Sequence, residues 1–436
     1  MTSILGIETN WERLDSGAPE ERACFAALSI RFGQVCLTEA DDRFVGRVRQ
    51  DIPLSAYKMA EWLAWNWWRL RWESRRDDEG WRLAHRMTTI GGGYVWPNIT
   101  VVSDGERVAL IAKPTQARAT EPVRYISDVA VVVQAAEFEG MIDNFLAQVC
   151  GQLRSENICD TNVDRLWAEI SEERRDPEAT KWRKFEAMAG YEPGEAPSSI
   201  IESLIADAGD LGQGAVAEVA TSRAAGEEIV SAVQLREHAT SMGFVACPSD
   251  AVRLSSPLSP LGDKAAWKRG AEAAGILRKQ EQLGAAPISN QRLGEMAGVR
   301  KEAITNNKST TYFSFALDET QQTGHVAFRS KWEAGRRFEL ARLLGDRIAG
   351  WSPERLYPAT RGHTYRQKFQ RSFAAELLCP FDALNEMLRR DYSLEAIEDA
   401  AAHFTVSERT IRTLLVNHGC LDREDLERDI ETISAA

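Results

Sequence analysis

Alternating apolar positions and turn signals predict two β-hairpins in the first part of the chain. Residues 24–42 and 95–114 each contain two β-rich runs. A turn signal separates the runs, Phe32-Gly33-Gln34 in the first case and Ser103-Asp104-Gly105 in the second. Short Gly-containing turns between such runs are typical of β-hairpins.

Two stretches in the same region have the periodicity of helices. Residues 55–74 place apolar side chains three and four positions apart, and Ser55 precedes them as a helix cap. Residues 137–153 show the same spacing along one face. We therefore expect one helix between the hairpins and a second helix after them.

The composition and the periodicity of the sequence change beyond residue 155. Residues 156–240 are helical and charged, and residues 241–262 are rich in Pro and Ser with little helical period, which is typical of a linker. Residues 263–436 read as mostly helical. The expected fold class is α+β, with a mixed α/β-hairpin domain at residues 1–155, a connecting helical region, a linker and a helical domain.

Composition narrows the class of protein. Of the 436 residues, 44% are hydrophobic and 27% are charged, as in ordinary globular proteins. We find no apolar run long enough for a membrane span and no secretory signal pattern at the first residues. The seven cysteines are scattered without a C-x-x-C pair, which favours reduced thiols and a cytoplasmic location.

Charge is distributed unevenly along the chain. The formal net charge is −12, which argues against a surface that coats nucleic acid non-specifically. Residues 329–371 nevertheless hold eleven Lys or Arg against four acids, a local charge of +7. This stretch is either a solvated helix surface or a local anion site.

Residues 336–348, RRFELARLLGDRI, have the packing pattern of a metal-binding helix without its ligands. A zinc peptidase of the H-E-x-x-H kind carries two histidines one helical turn apart and a glutamate between them as general base. The segment resembles the ImmA/IrrE family of metallopeptidase-like proteins, whose helix runs R-F-T-L-A-H-E-L-G-H. The scaffold letters of that helix are present as Arg337, Phe338, Leu340, Ala341, Leu344 and Gly345.

The positions that carry chemistry in the family have changed. Arg342 stands in place of the first histidine, Leu343 in place of the glutamate and Asp346 in place of the second histidine. Residues 367–384, QKFQRSFAAELLCPFDAL, resemble the next helix of the family, and Gln367 replaces its leading glutamate ligand. The resemblance covers residues 324–419 and implies a degenerate, zincin-like domain.

The substitutions argue against zinc and against peptidase chemistry. Arginine stays protonated and repels a cation, and leucine has no proton to exchange. We therefore expect no zinc and no other cofactor. A metal site rebuilt from His325, His363 and Asp346 remains an alternative that no ligand spacing supports.

Two interpretations fit the side chains that stand in place of the metal ligands. Arg342 and Asp346 are four residues apart, where opposite charges on a helix form an ion pair. Alternatively, a cluster of basic residues binds a phosphate or carboxylate where zinc once sat. The candidates for that anion site are Arg336, Arg337, Arg342, Arg366 and Lys368.

Residues 393–419 have the pattern of a helix-turn-helix. Ser393 and Ser407 each precede an apolar-periodic stretch, and Phe404-Thr405-Val406 separates the two. Candidate DNA-binding residues at the start of the second helix are Ser407, Arg409, Thr410 and Arg412. The resemblance also implies a helical domain here, so the pair is either a DNA-binding element or scaffold.

The N-terminal domain offers one further candidate site. Five of the thirteen tryptophans lie within residues 61–73, which indicates either a core helix or an aromatic surface for a protein partner. Candidate pocket residues are Arg69, Trp72, His85 and Arg86.

Three functional hypotheses remain open at the level of sequence. The first is a non-catalytic ImmA/IrrE-like protein acting by binding, as a DNA-linked regulator or as a sensor or adaptor in stress response or phage–host conflict, which is biology implied by the resemblance. The second is a metallopeptidase with a rebuilt site. The third is an enzyme acting on nucleic acid or nucleotides through residues 1–155.

Overall fold

The computed structural model describes residues 4–115, 121–222, 229–306, 311–351 and 354–422. The chain divides into two compact units, Met1–Ile201 and Glu202–Ala436. Both units contain helices and antiparallel sheets, so the chain is α+β. The division lies inside the stretch 156–240 that was expected to connect two domains.

The described residues of the first unit form ten short strands in three antiparallel sheets. The strands are β1 (Leu5–Glu12), β2 (Phe25–Phe32), β3 (Val35–Cys36), β4 (Ala40–Asp42), β5 (Arg47–Arg49), β6 (Ile52–Ser55), β7 (Ile99–Ser103), β8 (Arg107–Ala112), β9 (Val123–Tyr125) and β10 (Val129–Gln134). In one sheet β2 pairs with β1, β3 and β6, and the others have the orders β10-β8-β7 and β5-β4-β9. The predicted hairpins are confirmed as β2–β3 and β7–β8.

The helices of the first unit pack around one hydrophobic core. They are α1 (Pro19–Ala23), α2 (Ala56–Trp65), α3 (Trp67–Trp72), α4 (Glu79–His85), α5 (Ala135–Ser155), α6 (Asn162–Glu173) and α7 (Pro177–Met188), while α8 (Ser198–Leu211) spans the division between the units. The predicted tryptophan-rich helix is interrupted at Asn66, and Ser55 caps it by accepting from the Lys58 amide. Trp62, Trp67 and Trp68 are buried in the core, whereas Trp65 is 53% exposed.

The second unit combines ten helices with one sheet among its described residues. The helices are α9 (Gln213–Thr221), α10 (Ala232–Met242), α11 (Ala266–Gln280), α12 (Asn290–Ala297), α13 (Glu302–Thr305), α14 (Glu333–Ile348), α15 (Tyr365–Leu378), α16 (Phe381–Leu388), α17 (Leu394–Phe404) and α18 (Glu408–Asn417). The strands β11 (Phe244–Ala246), β12 (Ser314–Asp318), β13 (Gly324–Ala327) and β14 (Leu356–Ala359) form an antiparallel sheet in the order β11-β13-β12-β14.

This sheet adds strands to a region expected to be mostly helical. The strand β11 lies within the expected linker 241–262 and pairs with β13, about eighty residues later. Strands of three to five residues are too short to show a clear alternation, and the partners of β11 and β14 are distant in sequence.

The helices α14 and α15 lie against each other at close range. A Cβ at Gly345 on α14 would lie 2.4 Å from the Phe373 ring on α15, so glycine is required for this approach. The last two helices, α17 and α18, begin at the predicted caps Ser393 and Ser407, and Thr405 turns the chain between them with φ of 53°. The helix α18 packs against α15.

Candidate functional site

The helices α14 and α15 bring together Arg342 and Gln367, two residues that the sequence resemblance aligns with metal ligands. The Nη2 of Arg342 on α14 donates to Oε1 of Gln367 on α15 at 2.5 Å. The same nitrogen donates to the Thr360 carbonyl at 2.7 Å, at the end of β14. Gln367 Oε1 also accepts from the Thr360 amide at 2.9 Å. Arg342 and Gln367 therefore form one buried hydrogen-bonded group.

Arg342 is a buried cation without an ion-pair partner among the described residues. Its side chain belongs to a residue only 7% exposed, and its Nε has no hydrogen-bond partner among the described residues. No carboxylate in the described part of the chain forms an ion pair with it. Burial lowers the pKa of Arg342 to about 9, because the charged guanidinium has lost its hydration.

The expected ion pair between Arg342 and Asp346 is wrong. Asp346 is fully buried and instead binds Arg366 of α15 in a two-pronged arrangement, with Nε to Oδ1 at 2.7 Å and Nη2 to Oδ2 at 2.6 Å. The Trp351 indole donates to the same carboxylate at 2.8 Å. A guanidinium from another helix supplies two parallel bonds, which a same-helix partner four residues away does not match in geometry.

Arg366 binds a second carboxylate, that of Glu354, in addition to Asp346. Its Nη1 donates to Oε2 of Glu354 at 2.7 Å, and the other oxygen of Glu354 accepts from the Ala215 amide at the start of α9 at 3.0 Å. Burial works against the charged guanidinium, but Asp346 and Glu354 raise the pKa of Arg366 above its ordinary value. The arginine that was proposed for anion binding therefore already has two protein carboxylates as partners.

Glu218 of α9 is a buried acid that the sequence reading did not identify. Its Oε2 accepts from the Thr364 hydroxyl at 2.7 Å. Burial raises the pKa of Glu218 above its ordinary value, although Arg366 and the Thr364 hydrogen bond act in the opposite direction. Glu218 lies in an unremarkable helical stretch 146 residues before Thr364, so no local pattern marks it.

The donor set does not fit a zinc ion. Leu343 is buried in the core, Gln367 is bound to Arg342, and both oxygens of Asp346 are used by Arg366. His325 lies on β13 with its Nδ1 3.6 Å from Oε1 of Glu319. In residues 4–422 as far as they are described, no three His, Cys, Asp or Glu side chains are placed to hold a metal.

The remaining candidates for the anion site do not converge with Arg342. Arg336 is buried and donates to the Ile304 and Lys331 carbonyls at 2.5 and 2.7 Å. Arg337 is also buried and donates to the Ile288 carbonyl at 2.6 Å and to Asn290. These arginines fasten α14 to the segments beside it. Lys368 is half-buried on α15.

The candidate DNA-binding residues divide into capping and exposed side chains. Ser407 accepts from the Thr410 amide at 3.2 Å, and its hydroxyl lies 3.0 Å from that of Thr410, which is buried. Arg409 is exposed and Arg412 is half-buried. Ser407 and Thr410 therefore build the start of α18, and Arg409 is the candidate that faces solvent.

The C-terminal end of α18 is held by α15 and α16. The ring of His418 stacks on Phe381 with 3.6 Å between the ring centroids and an interplanar angle of 3°. Its Nε2 lies 2.7 Å from Oε1 of Glu376. These contacts fix the direction in which α18 presents Arg409.

In the first unit, two of the four pocket candidates meet around a carboxylate that sequence reading missed. Glu73 is buried and accepts from Arg69 Nε at 2.7 Å. His85 is fully buried, with Nε2 3.2 Å from Glu73 and Nδ1 2.9 Å from the Val101 carbonyl. Burial raises the pKa of Glu73, but the hydrogen bonds from His85 and Arg69 outweigh this and leave it lowered. The group is a closed polar cluster inside the unit.

The other two pocket candidates lie apart from this cluster. Trp72 is covered by cations, with the Arg71 guanidinium 3.7 Å and the Lys184 ammonium 4.1 Å from its ring centroid. Arg86 is exposed and forms a backbone bridge to Thr100. The structure therefore brings Arg69 and His85 together and leaves Trp72 and Arg86 outside their hydrogen bonds.

None of the helices formed by the described residues is both long enough and apolar enough to cross a membrane. Comparisons with protein-family models, with curated proteins and with solved structures find no match to this chain.

Proposed function

We propose that this chain is a non-catalytic, ImmA/IrrE-like protein that acts by binding, as a DNA-linked regulator or as a sensor or adaptor in stress response or phage–host conflict. One observation carries the proposal. The positions that hold the metal in the family, 342, 346 and 367, lie at one junction of α14 and α15, where Arg342 binds Gln367 and Asp346 binds Arg366 beside it.

The chemistry at this junction favours binding over catalysis. The buried guanidinium of Arg342 repels a divalent cation, and Leu343 cannot act as the general base for a metal-bound water. The carboxylate of Asp346 and the amide oxygen of Gln367 are bound by protein groups instead of being held ready for a substrate. The scaffold of the helix has been kept while its reactive groups have been replaced.

Metal analysis of the purified protein tests the loss of catalysis. We expect zinc well below one equivalent per chain after dialysis, measured by inductively coupled plasma mass spectrometry. Stoichiometric zinc in the unaltered protein would contradict the proposal and favour a rebuilt metallopeptidase.

A variant that carries the zinc ligands of the family at positions 342, 346 and 367 tests whether α14 and α15 have the arrangement of a zinc site. The triple variant Arg342→His, Asp346→His, Gln367→Glu should bind about one zinc per chain, because three ligands would then converge at one point. The matched control carries Arg342→His and Asp346→His without the change at 367 and should bind zinc more weakly. A folded triple variant that binds no zinc would argue against the zincin-like arrangement.

The DNA-linked form depends on the helix pair α17–α18. Fluorescence anisotropy with duplex DNA at low salt should show binding that weakens when Arg409→Ala and Arg412→Ala are combined. Ser407→Ala and Ser393→Ala each remove one helix cap, but only Ser407 is a candidate for DNA contact. A larger loss of DNA affinity in Ser407→Ala supports contact at α18. Absence of binding at low salt would contradict the DNA-linked form and leave the sensor or adaptor form.

A further inference from the structure

The strand β1 lies at a free edge of its sheet. Among the described strands it pairs with β2 alone, in an unbroken antiparallel register from Leu5↔Phe32 to Glu12↔Phe25. Lys side chains, Pro residues and bulges are among the devices that keep an edge strand from pairing with another chain. The sequence of β1, LGIETNWE, contains no Lys and no Pro, and its register contains no bulge. The edge is therefore open to a further strand.

The hydrogen bonds of β2 show which backbone groups of β1 point outward. On the side of β2 away from β1, the Ile30 amide donates to Thr38 Oγ1 and the Ile30 carbonyl accepts from the Leu37 amide. Ile7 lies opposite Ile30, and opposite residues of an antiparallel pair exchange either both hydrogen bonds or none. The amide and carbonyl of Ile7 therefore point away from β2, and those of Thr9, two residues on, point the same way.

A groove of about 500 Å³ adjoins this edge, between β1 and α5. Its lining includes the buried side chains of Ile7, Met141 and Phe145. The outward amide of Leu5 donates to Glu137 of α5 at 2.9 Å. Beyond Leu5, no side chain in the described part of the chain binds the outward backbone groups of β1. An added strand would complete these hydrogen bonds and pack on an apolar surface.

Charge selects one register for a second copy of β1 at this edge. Two identical antiparallel strands related by a two-fold axis perpendicular to the sheet pair about one residue, which lies opposite itself. Pairing about Glu8 joins residues 5–11 and sets Glu8 against its own copy, and like charges directly opposite destabilise a sheet. Pairing about Thr9 joins residues 6–12, equally many, and opposes no like charges.

The register about Thr9 also pairs complementary side chains. It sets Glu8 opposite Asn10 on the exposed face of the sheet. On the other face it sets Ile7 opposite Trp11, and a β-branched side chain against an aromatic one stabilises a strand pair. Symmetry makes each of these pairs twice. Because the backbone groups of Thr9 point outward, the two copies of Thr9 would exchange both hydrogen bonds at the axis.

The part of α5 beside the axis carries small side chains. Thr9 Oγ1 donates to Gln148 Oε1 of α5 at 3.1 Å, so this turn of the helix lies next to the axis. Ala147 lines the groove, and Gly151 follows it by one helical turn. Both are exposed, and a Cβ at Gly151 would have no neighbouring atom within 4 Å. Two copies of α5 can therefore approach each other here through small residues.

We propose that two copies of this chain form a dimer by antiparallel pairing of β1 with β1 about Thr9. The sheet of one copy then continues into that of the other, and the open edge of each is covered. This pairing involves the first unit alone, so it does not depend on the function proposed for the second unit.

Sedimentation velocity of the full-length protein tests the dimer. From about 1 to about 100 µM, the mass should rise from that of one chain towards twice that value. Thr9→Pro removes an outward amide and no hydrogen bond to β2, and should weaken the dimer by about tenfold or more. A protein that stays monomeric throughout this range would leave the edge of β1 to a strand of a different protein and would overturn the proposal.

Substitutions at Asn10 test the register at an exposed position. Asn10→Lys would face Glu8 of the partner subunit in both halves of the dimer and should tighten it by about threefold or more at low salt. Asn10→Glu would set like charges opposite each other and should weaken it by a similar factor. Circular dichroism melting checks that each variant is folded, and the Asn10 pair keeps the test valid even where Thr9→Pro unfolds.

The same charge changes at Ala130 are the matched control. Ala130 is exposed on β10, which is the edge strand of another sheet in the same unit. In Ala130→Lys and Ala130→Glu the dimer affinity should stay within about twofold of that of the unaltered protein. Shifts of the same sign in both Asn10 variants, shifts of equal size in the Ala130 variants, or an unchanged dimer in a folded Thr9→Pro would each contradict pairing through β1.

Discussion

At the scale of single residues, Arg366 compensates most of the buried negative charge at the junction of α14 and α15. Asp346 and Glu354 are both bound to it, with distances between 2.6 and 2.7 Å. Its own side chain is 7% exposed, so the pairs are shielded from water and salt. The energy of such a pair is felt mainly when one member is removed, because the other charge is then left buried and alone.

Arg366→Ala should therefore destabilise the fold by about 3–5 kcal/mol. Arg366→Lys should cost less, because it keeps the charge while losing the two-pronged geometry. Lys264→Ala is the control, since Lys264 pairs with Glu272 at a site where the lysine side chain is 46% exposed, and such pairs contribute at most about 1 kcal/mol. Urea unfolding measures the difference, and equal losses in Arg366→Ala and Lys264→Ala would contradict the structure.

The buried carboxyl of Glu218 should make the free energy of unfolding depend on pH. Its pKa in the folded protein is raised above the ordinary 4.5, mainly by burial, with Arg366 and Thr364 opposing. As pH rises through 4.5, the unfolded chain ionises first, so the folded state loses stability until its own carboxyl ionises. Glu218→Gln removes this loss and keeps an acceptor for the Thr364 hydroxyl.

The advantage of Glu218→Gln over the unaltered protein should be small at pH 4 and larger at pH 8, measured as the free energy of unfolding in urea. Glu202→Gln changes an exposed glutamate of the same unit and controls for the loss of a surface charge. A deficit in Glu218→Gln that grows from pH 4 to pH 8 would show instead that the ionised carboxylate stabilises the fold.

Residue-level features could be predicted from sequence where the partner is local. Ser55, Ser393 and Ser407 were expected as caps and each accepts from the amide three residues on. The partner of Asp346 could not be predicted, because Arg342 at four residues and Arg366 at twenty are both arginines, and only tertiary packing selects between them. Glu73 and Glu218 were missed for the same reason.

At the scale of elements, the close contact of α14 and α15 depends on Gly345. A Cβ there would lie 2.4 Å from Cδ1 and 2.8 Å from Cγ of Phe373, which is itself fully buried. Gly345→Ala should force the two helices apart and destabilise the fold by about 1–3 kcal/mol. The matched control is Gly275→Ala in α11, where a Cβ meets open space and should stabilise the helix by about 0.5–1 kcal/mol.

Thermal unfolding followed by circular dichroism compares the two glycine variants. Opposite shifts of the melting temperature are expected, downward for Gly345→Ala and upward for Gly275→Ala. A Gly345→Ala variant as stable as the unaltered protein would mean that α14 and α15 tolerate a wider separation than the structure shows.

Long elements, and elements whose pattern lies within one stretch of sequence, could be predicted best. The helices α5, α17 and α18 and the hairpin β7–β8 followed from periodicity, caps and turns within one stretch of sequence. The pairings of β11 with β13 and of β12 with β14 did not, because the paired segments lie far apart along the chain. Periodicity reports which face is buried, and it carries no information about the partner.

At the scale of the whole molecule, the two units have separate hydrophobic cores. The core of the first unit draws on buried residues between Leu5 and Ala187, and that of the second draws on buried residues between Ala246 and Leu415. No buried residue belongs to both cores in the part of the chain that the structure describes. A domain with its own core is expected to fold by itself.

Fragments 1–197 and 198–436 should therefore each fold cooperatively. The cut precedes α8, so that this helix stays intact, and follows the segment in which the Gly194 amide donates to Glu186. Each fragment should show a sigmoidal urea transition by circular dichroism and by tryptophan fluorescence, with the two probes coinciding. A control cut within α5, giving fragments 1–145 and 146–436, divides the core of the first unit and should leave fragment 1–145 without a cooperative transition. Cooperative folding of fragment 1–145 together with non-cooperative behaviour of 1–197 would contradict the division of the chain within α8.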